Sequence, residues 1–300
     1  MQSTWDRTFE WTKNLLGIGS IETPLWEKAI FYLCLILTLF IILFPIYWMV
    51  VSSLIPDHQL YSTPPTLFPS PDQITLDHYR SVFGTETFPF IRYFRNSLIV
   101  ALTVATLSVA VASIGAYSVT RLEYPGRSVF SRGVLIVYMF SGILLVVPLY
   151  QMIVLIGWND MLRSLMFTYL VQCLPLSLYM LVSYFQSIPE EIEEAAMMDG
   201  YSRFEVIYKV TLPLSLPALI AVFMYAFIIG WNEYLFASIF LRSSEMFTLP
   251  IGIENLVDQF HDVWGTVMAA SLLTSLPVII LFMYLEKYMV EGLTLGSVEG

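Results

Sequence analysis

The chain reads as an all-α integral membrane protein, a bundle of six transmembrane helices, and three observations carry that reading. Of its 300 residues 57% are hydrophobic and only 13% are charged, too few polar groups to coat a soluble domain of this size. The apolar residues are gathered in blocks, with charge-free runs at 29–56, 96–120, 133–159, 164–189, 210–232 and 263–285. Each run exceeds the roughly 20 residues that a helix needs to cross about 30 Å of hydrocarbon. No water is present there to satisfy backbone groups, so the spans are expected to be helices packed in one bundle.

Taken in order, the stretch 1–28 has mixed charge and is too long for the basic start of a signal peptide. It is expected to be a cytoplasmic amino-terminal segment, and the run after it is long enough to remain as the first span. The membrane domain then covers 29–285, with outer loops at 57–95 and 241–262, and a tail follows at 286–300. An even number of spans places both termini on one side. With the termini inside, the inner segments hold Arg7, Lys13, Lys28, Arg121, Arg127, Arg132, Arg203, Lys209 and Lys287, against Arg80, Arg92, Arg95, Arg163 and Arg242 outside. That excess of basic residues favours cytoplasmic termini and a multi-pass protein of the cell membrane.

Several chemistries have no support in the residues. Cys34 and Cys173 both fall inside predicted spans, so neither a disulfide framework nor a cysteine metal site is expected. His58, His78 and His261 are scattered over the outer loops without ligand spacing and read as solvated side chains. No G-x-x-x-x-G-K-[ST] occurs, so the chain supplies no ATP site of its own and no enzyme activity or bound cofactor is expected of it. Its lysines are Lys13, Lys28, Lys209 and Lys287, and its net charge is -10. An acidic, lysine-poor surface of this kind stays hydrated at high salt, which suggests a salt-rich setting.

The one long polar segment between two apolar blocks is 187–213. Ser187 with Glu190, and Ser202 with Glu205, each match S-x-x-E, the pattern of a helix-starting capping box. Gly200 stands where the first helix should stop, at a left-handed position that only glycine adopts at little cost. The expectation is two short helices in a tight hairpin, its first turn made acidic by Glu190 to Glu194 beside the positive helix end. Ala195 and Ala196 keep the profile low, a shape suited to seating in a partner's groove.

Glu194-Ala195-Ala196, three residues, Gly200, nine residues, Val210, one residue and Leu212-Pro213 resemble the E-A-A-x3-G-x9-I-x-L-P loop of permease subunits of ATP-binding-cassette importers, with Val210 in place of isoleucine. The run 44–54, Asn96-Ser97-Leu98, Ala116-Tyr117, Pro148-Leu149-Tyr150, Trp231-Asn232-Glu233-Tyr234-Leu235, Thr248-Leu249-Pro250 and the tail Glu291 to Gly296 are similar to carbohydrate importers, in particular to the smaller permease of the maltose system. The chain departs from that pattern at Ile55 and Glu299, where basic residues are usual. The resemblance implies the type I importer permease fold and an ATP-driven, binding-protein-dependent sugar importer. It further implies a second permease, two ATPase subunits that hold ATP and magnesium, and an extracytoplasmic sugar-binding protein. It makes 187–213 the ATPase-coupling loop, with Glu190, Glu193, Glu194, Ala195, Ala196, Asp199, Gly200, Leu212 and Pro213 as its contacts.

Trp231, Asn232 and Glu233 offer an aromatic face, an amide and a carboxylate, groups that stack on and hydrogen-bond a sugar ring, and they are the candidates for the substrate path; anchoring of the helix is the competing role. Glu233 must sit near the outer interface or in a wet cavity, since a carboxylate at the bilayer centre costs on the order of 2.5–3.5 kcal/mol. Glu254, Asn255, Asp258, Gln259 and His261 are candidates for contact with the binding protein. Import of another solute, such as a polyol phosphate, peptide or polyamine, and a proton-coupled carrier or channel built on Glu233 stay open as alternatives.

Overall fold

The computed structural model of the chain describes residues 25–63, 66–84, 88–127, 129, 133, 134, 136, 142–259 and 263–295, apart from the side chains at 25, 27, 258, 259 and 289–295. Its principal elements are α1 (Leu25–Leu54), α2 (Asp77–Gly84), α3 (Phe90–Arg121), α4 (Gly142–Leu155), α5 (Leu162–Gln186), α6 (Glu190–Met198), α7 (Arg203–Val206), α8 (Leu216–Asn232), α9 (Leu235–Phe240), α10 (Leu249–Gln259) and α11 (Trp264–Leu295). No strand occurs among the described residues. Four helices, α1, α3, α5 and α11, are long and apolar enough to cross a membrane. The 17-residue α8 follows the segment Arg203–Leu214 at a 78° bend, and α4 has 14 residues.

The four long spans outrun the charge-free blocks that announce them, α3 and α11 by the most. α3 begins at Phe90 and takes in Arg92 and Arg95, and α11 continues to Leu295 through Glu286 and Lys287. Charge is excluded by hydrocarbon, not by the helix, so a helix continues into the interface where arginine and lysine are solvated. With 32 residues each, both helices are about 48 Å long, well beyond the hydrocarbon thickness.

The bundle is organised around α3. Ser97, Ala101, Ala105, Ser108, Ala112 and Ala116 form its buried face, and small residues are what let helix backbones approach closely in a membrane. α5 and α8 pack on that face, while α1 leans mainly on α11. The tightest approach is at Gly230 of α8, where a Cβ would stand 3.0 Å from the Cα of Ala101. Gly230 is thus a packing residue at this crossing. Tyr169, Phe227, Trp231, Phe236 and Phe240 fill the core at the end away from the hairpin.

At that same end α2 is pinned by His78. The ring is buried, with Nε2 donating to the carbonyl of Ile55 at 2.9 Å and Nδ1 3.3 Å from the Thr266 hydroxyl. His78 is therefore a structural core histidine and not a solvated loop residue. The segment expected as the second outer loop is largely helical: α9, a short turn at Ser244–Met246 and α10 occupy most of it.

Candidate functional site

The polar segment folds as the hairpin its glycine implies. Gly200 has φ 93°, and two backbone bonds close the end of α6, from Gly200 N–H to the Met197 carbonyl (3.1 Å) and from Tyr201 N–H to that of Ala196 (3.2 Å). This pairing satisfies two of the carbonyls that a helix end leaves orphaned. Ser202 then starts α7 with a complete capping box: its Oγ accepts from Glu205 N–H, and the Glu205 carboxylate accepts from Ser202 N–H at 3.0 Å. Lys209 donates to the same carboxylate at 3.0 Å. These bonds, that from the Ser202 N–H foremost, hold the Glu205 carboxyl down at about 2.

The box expected at Ser187 and Glu190 does not form. Ser187 continues α5 in helical conformation and its hydroxyl donates to Tyr184, while Pro189 (φ −57°, ψ 132°) takes the N-cap of α6 without a side-chain bond. A proline that fixes φ near −65° can make the corner by itself.

Glu193, grouped by sequence with the partner contacts, points inward. Its carboxylate is buried and accepts from Arg121 Nε at 3.0 Å and from the Thr211 hydroxyl at 3.1 Å. The same guanidinium donates to the carbonyls of Phe185 (2.9 Å) and Ile188 (2.8 Å) and lies 3.5 Å from Glu190. One arginine at the last residue of α3 therefore ties together the end of α5, the first turn of α6 and, through Glu193, the start of the segment leading into α8. Neither Arg121 nor Thr211 was among the expected site residues. Thr211 occupies the unspecified position between Val210 and Leu212.

What the hairpin presents outward is its acids and its tip. Glu190, Glu194, Ala195, Asp199, Gly200 and Pro213 are exposed and Leu212 is half-buried, whereas Ala196 packs inward. Met198 and Phe204 are 88% and 81% exposed. Between α7 and α8 the chain makes a π-helical turn at Ile207–Thr211 before the short helix Leu212–Leu214, a wide turn often found at functional positions.

The second candidate group is divided by the fold. Trp231 is 1% exposed, stacks on Phe227, and donates from Nε1 to the Thr274 carbonyl at 3.1 Å. Glu233 follows α8 and caps α9: its carboxylate accepts from Phe236 N–H (3.0 Å), Ala237 N–H (3.3 Å) and the Tyr169 hydroxyl (2.6 Å). Both side chains are committed to holding the bundle. Asn232 alone of the three is exposed, on the rim of a groove of about 310 Å³ between α8 and α11.

The model of the family described as binding-protein-dependent transport system inner membrane component matches residues 124–294, which takes in the hairpin, α8 and α11. The chain belongs to that family. Among relatives of this inner membrane component, the ABC transporter permease protein YcjP of Escherichia coli strain K12 is 46% identical over 270 residues, 90% of this chain and 96% of the relative. The trehalose/maltose transport system permease protein MalG of Thermococcus litoralis is 38% identical, over 88% of this chain and 94% of its own length. The fold is that of the crystal structure of a bacterial ABC transporter involved in the import of the acidic polysaccharide alginate, with TM-score 0.77, 21% identity and coverage of 92% and 97%. The chain is thus a multi-pass permease component.

At the far end of this permease, three side chains fasten the segments around α10. Asn96 donates from Nδ2 to the carbonyls of Glu245 (2.9 Å) and Phe247 (3.0 Å), and the Ser97 hydroxyl accepts from Leu249 N–H at 2.8 Å. Asp160, with φ 57°, accepts from the backbone N–H groups of Arg242 (2.8 Å) and Ser243 (3.0 Å) and from the Ser243 hydroxyl. Of the expected binding-protein contacts, Glu254 is exposed and Asn255 half-buried on α10. Asp258 and Gln259 end that helix with side chains outside the described set, and His261 lies outside the described residues.

Proposed function

We propose that this chain is one of two permease subunits of an ATP-driven sugar importer, with six spans, cytoplasmic termini and the hairpin 187–213 seated on an ATPase subunit. The observation that carries the reading is the hairpin itself: a braced, glycine-closed knob with an exposed apolar tip at Met198 and Phe204 and a carboxylate shoulder at Glu190, Glu194 and Asp199. An exposed apolar tip rimmed by charge is what a partner surface requires. ATP is bound and hydrolysed on the partner; closure of the ATPase pair displaces the hairpin, and the bundle changes which side it opens to. Sugar as the substrate class is supported by relatives named for trehalose/maltose and diacetylchitobiose uptake. The helix α10, with Glu254 and Asn255, faces the side where a binding protein would dock. A proton-coupled carrier has less support, because Glu233 is engaged by three donors.

The test is gentle purification from the source membrane followed by mass spectrometry. A P-loop ATPase and a second permease are expected to co-purify, and Glu194→Ala to weaken retention of the ATPase. A lone oligomer in demonstrably intact preparations would overturn the reading.

A further inference from the structure

The groove between α8 and α11 has features of a ligand subsite. Its volume of about 310 Å³ is at the small end of the ~300–1,000 Å³ range of ligand pockets. Trp231 and Asn232 come from α8, and Ser271, Thr274 and Ser275 from α11, with aliphatic side chains completing the wall. Ser271 to Ile279 lie about 10–23 Å along α11 from its start at Trp264, by the 1.5 Å rise per residue, which is the depth of the bilayer interior. Four polar side chains, Asn232, Ser271, Thr274 and Ser275, gather on this face at that depth, where lipid would leave their remaining hydrogen-bonding capacity unmet.

The backbone beside them points the same way. α8 stops at Asn232 and α9 starts at Leu235, so the span is interrupted beside the groove. Broken backbone at membrane depth is tolerated only where protein covers it or where it lines a wet cavity.

Three donors in the groove are spent on their own helices. Thr274 Oγ1 donates to the Ala270 carbonyl (2.8 Å), Ser275 Oγ to that of Leu272 (2.7 Å), and Asn232 Nδ2 to that of Ile228 (3.1 Å). Each of these groups keeps lone pairs, and with the second amide hydrogen of Asn232 and the Ser271 hydroxyl the groove offers several acceptors and a few neutral donors, next to the edge of a buried indole. It contains no charged side chain, and the nearby Glu233 carboxylate is bonded to α9 and Tyr169. Hydroxyl-rich neutral molecules are donors that match such a wall, whereas a carboxylate would be stripped of water with no cation to meet it.

We infer that this groove is a passage subsite for a neutral sugar, held by hydroxyl donation to Asn232, Thr274 and Ser275. The inference rests on the import reading above, and it adds residues of α11 and excludes acidic sugars. The test uses the complete importer in proteoliposomes, with Cys34 replaced by serine, the buried Cys173 kept, and one added cysteine at Ser271 or Ser275. A charged, water-soluble methanethiosulfonate reagent should label both cysteines, and labelling should slow severalfold during turnover with the binding protein, ATP and maltose or trehalose. Asn232→Ala and Ser275→Ala should raise the KM for uptake several-fold while the variant subunits still assemble into the complex. With uptake by the parent complex intact, unlabelled cysteines would show a partner helix or lipid filling the groove and would overturn the subsite alone. Equal protection by an alginate trisaccharide would overturn its neutral selectivity. Failure of the parent complex to take up any sugar would overturn the import reading and the subsite with it.

Discussion

Replacing Arg121 with leucine should loosen the hairpin without unfolding the bundle. The arginine and Glu193 have side chains 7% and 4% exposed, so Arg121→Leu leaves a buried carboxylate whose remaining support is the Thr211 hydroxyl and that of Tyr117. It also removes the donors to Phe185 and Ile188. Removing one partner of a buried pair costs about 3–5 kcal/mol, or roughly two to three and a half powers of ten in a local opening equilibrium. Hydrogen exchange of the assembled complex reads this directly: amides of α6 and of Ile207–Thr211 should exchange at least a hundredfold faster, with the middle of α3 unchanged. The double variant Arg121→Leu, Glu193→Leu removes both charges and should recover much of the loss. Unaltered exchange in the single variant, or a double variant no better than the single, would refute the buried pair as the brace.

Three further outcomes follow from the same geometry. At Gly200 an added Cβ meets no atom within 4 Å, so the main cost of Gly200→Val is the left-handed backbone, about 1–2 kcal/mol; ATPase retention and sugar uptake should fall while membrane insertion is unchanged, and normal uptake would remove the reason given for glycine. The Glu205 capping box contributes fully above the ordinary carboxyl value of 4.5 and loses its contribution as pH falls towards 2. The parent should therefore melt above Glu205→Gln at pH 6, with the gap narrowing as pH approaches 2. Glu233→Leu strands two backbone N–H groups and the Tyr169 hydroxyl at about 1–3 kcal/mol each, whereas Glu233→Gln keeps an acceptor; the leucine variant should show the lower melting temperature in detergent, and equal melting would count against capping by Glu233.

Much of the apolar architecture was legible because the bilayer imposes it: the charge-free runs 29–56, 96–120, 164–189 and 263–285 fall mainly on α1, α3, α5 and α11. Their limits were not, since Arg92, Arg95 and Lys287 sit on helix that continues past the hydrocarbon. In the hairpin, Gly200 and the Ser202 box could be read because both are local. Ser187 misled because S-x-x-E carries no register, and Pro189 holds the corner one residue before the helix. Glu193 looked like its exposed neighbours because its partner, Arg121, is 72 residues away. Trp231 and Glu233 carry groups that suit a sugar, yet they are spent on Thr274, Tyr169 and α9, bonds between distant segments that no motif announces.

The brace at Arg121 makes α3 a lever. One end is tied to the hairpin, and about 37 Å along the helix by its rise stand Asn96 and Ser97, which grip the segment leading into α10. A tilt of about 10° around one end of a rod of that length carries the other through about 6 Å. The two ends of the bundle are thus geared to each other by one stiff shaft. A movement too small to alter the hairpin's own shape is enough to reposition the surface where another protein would rest.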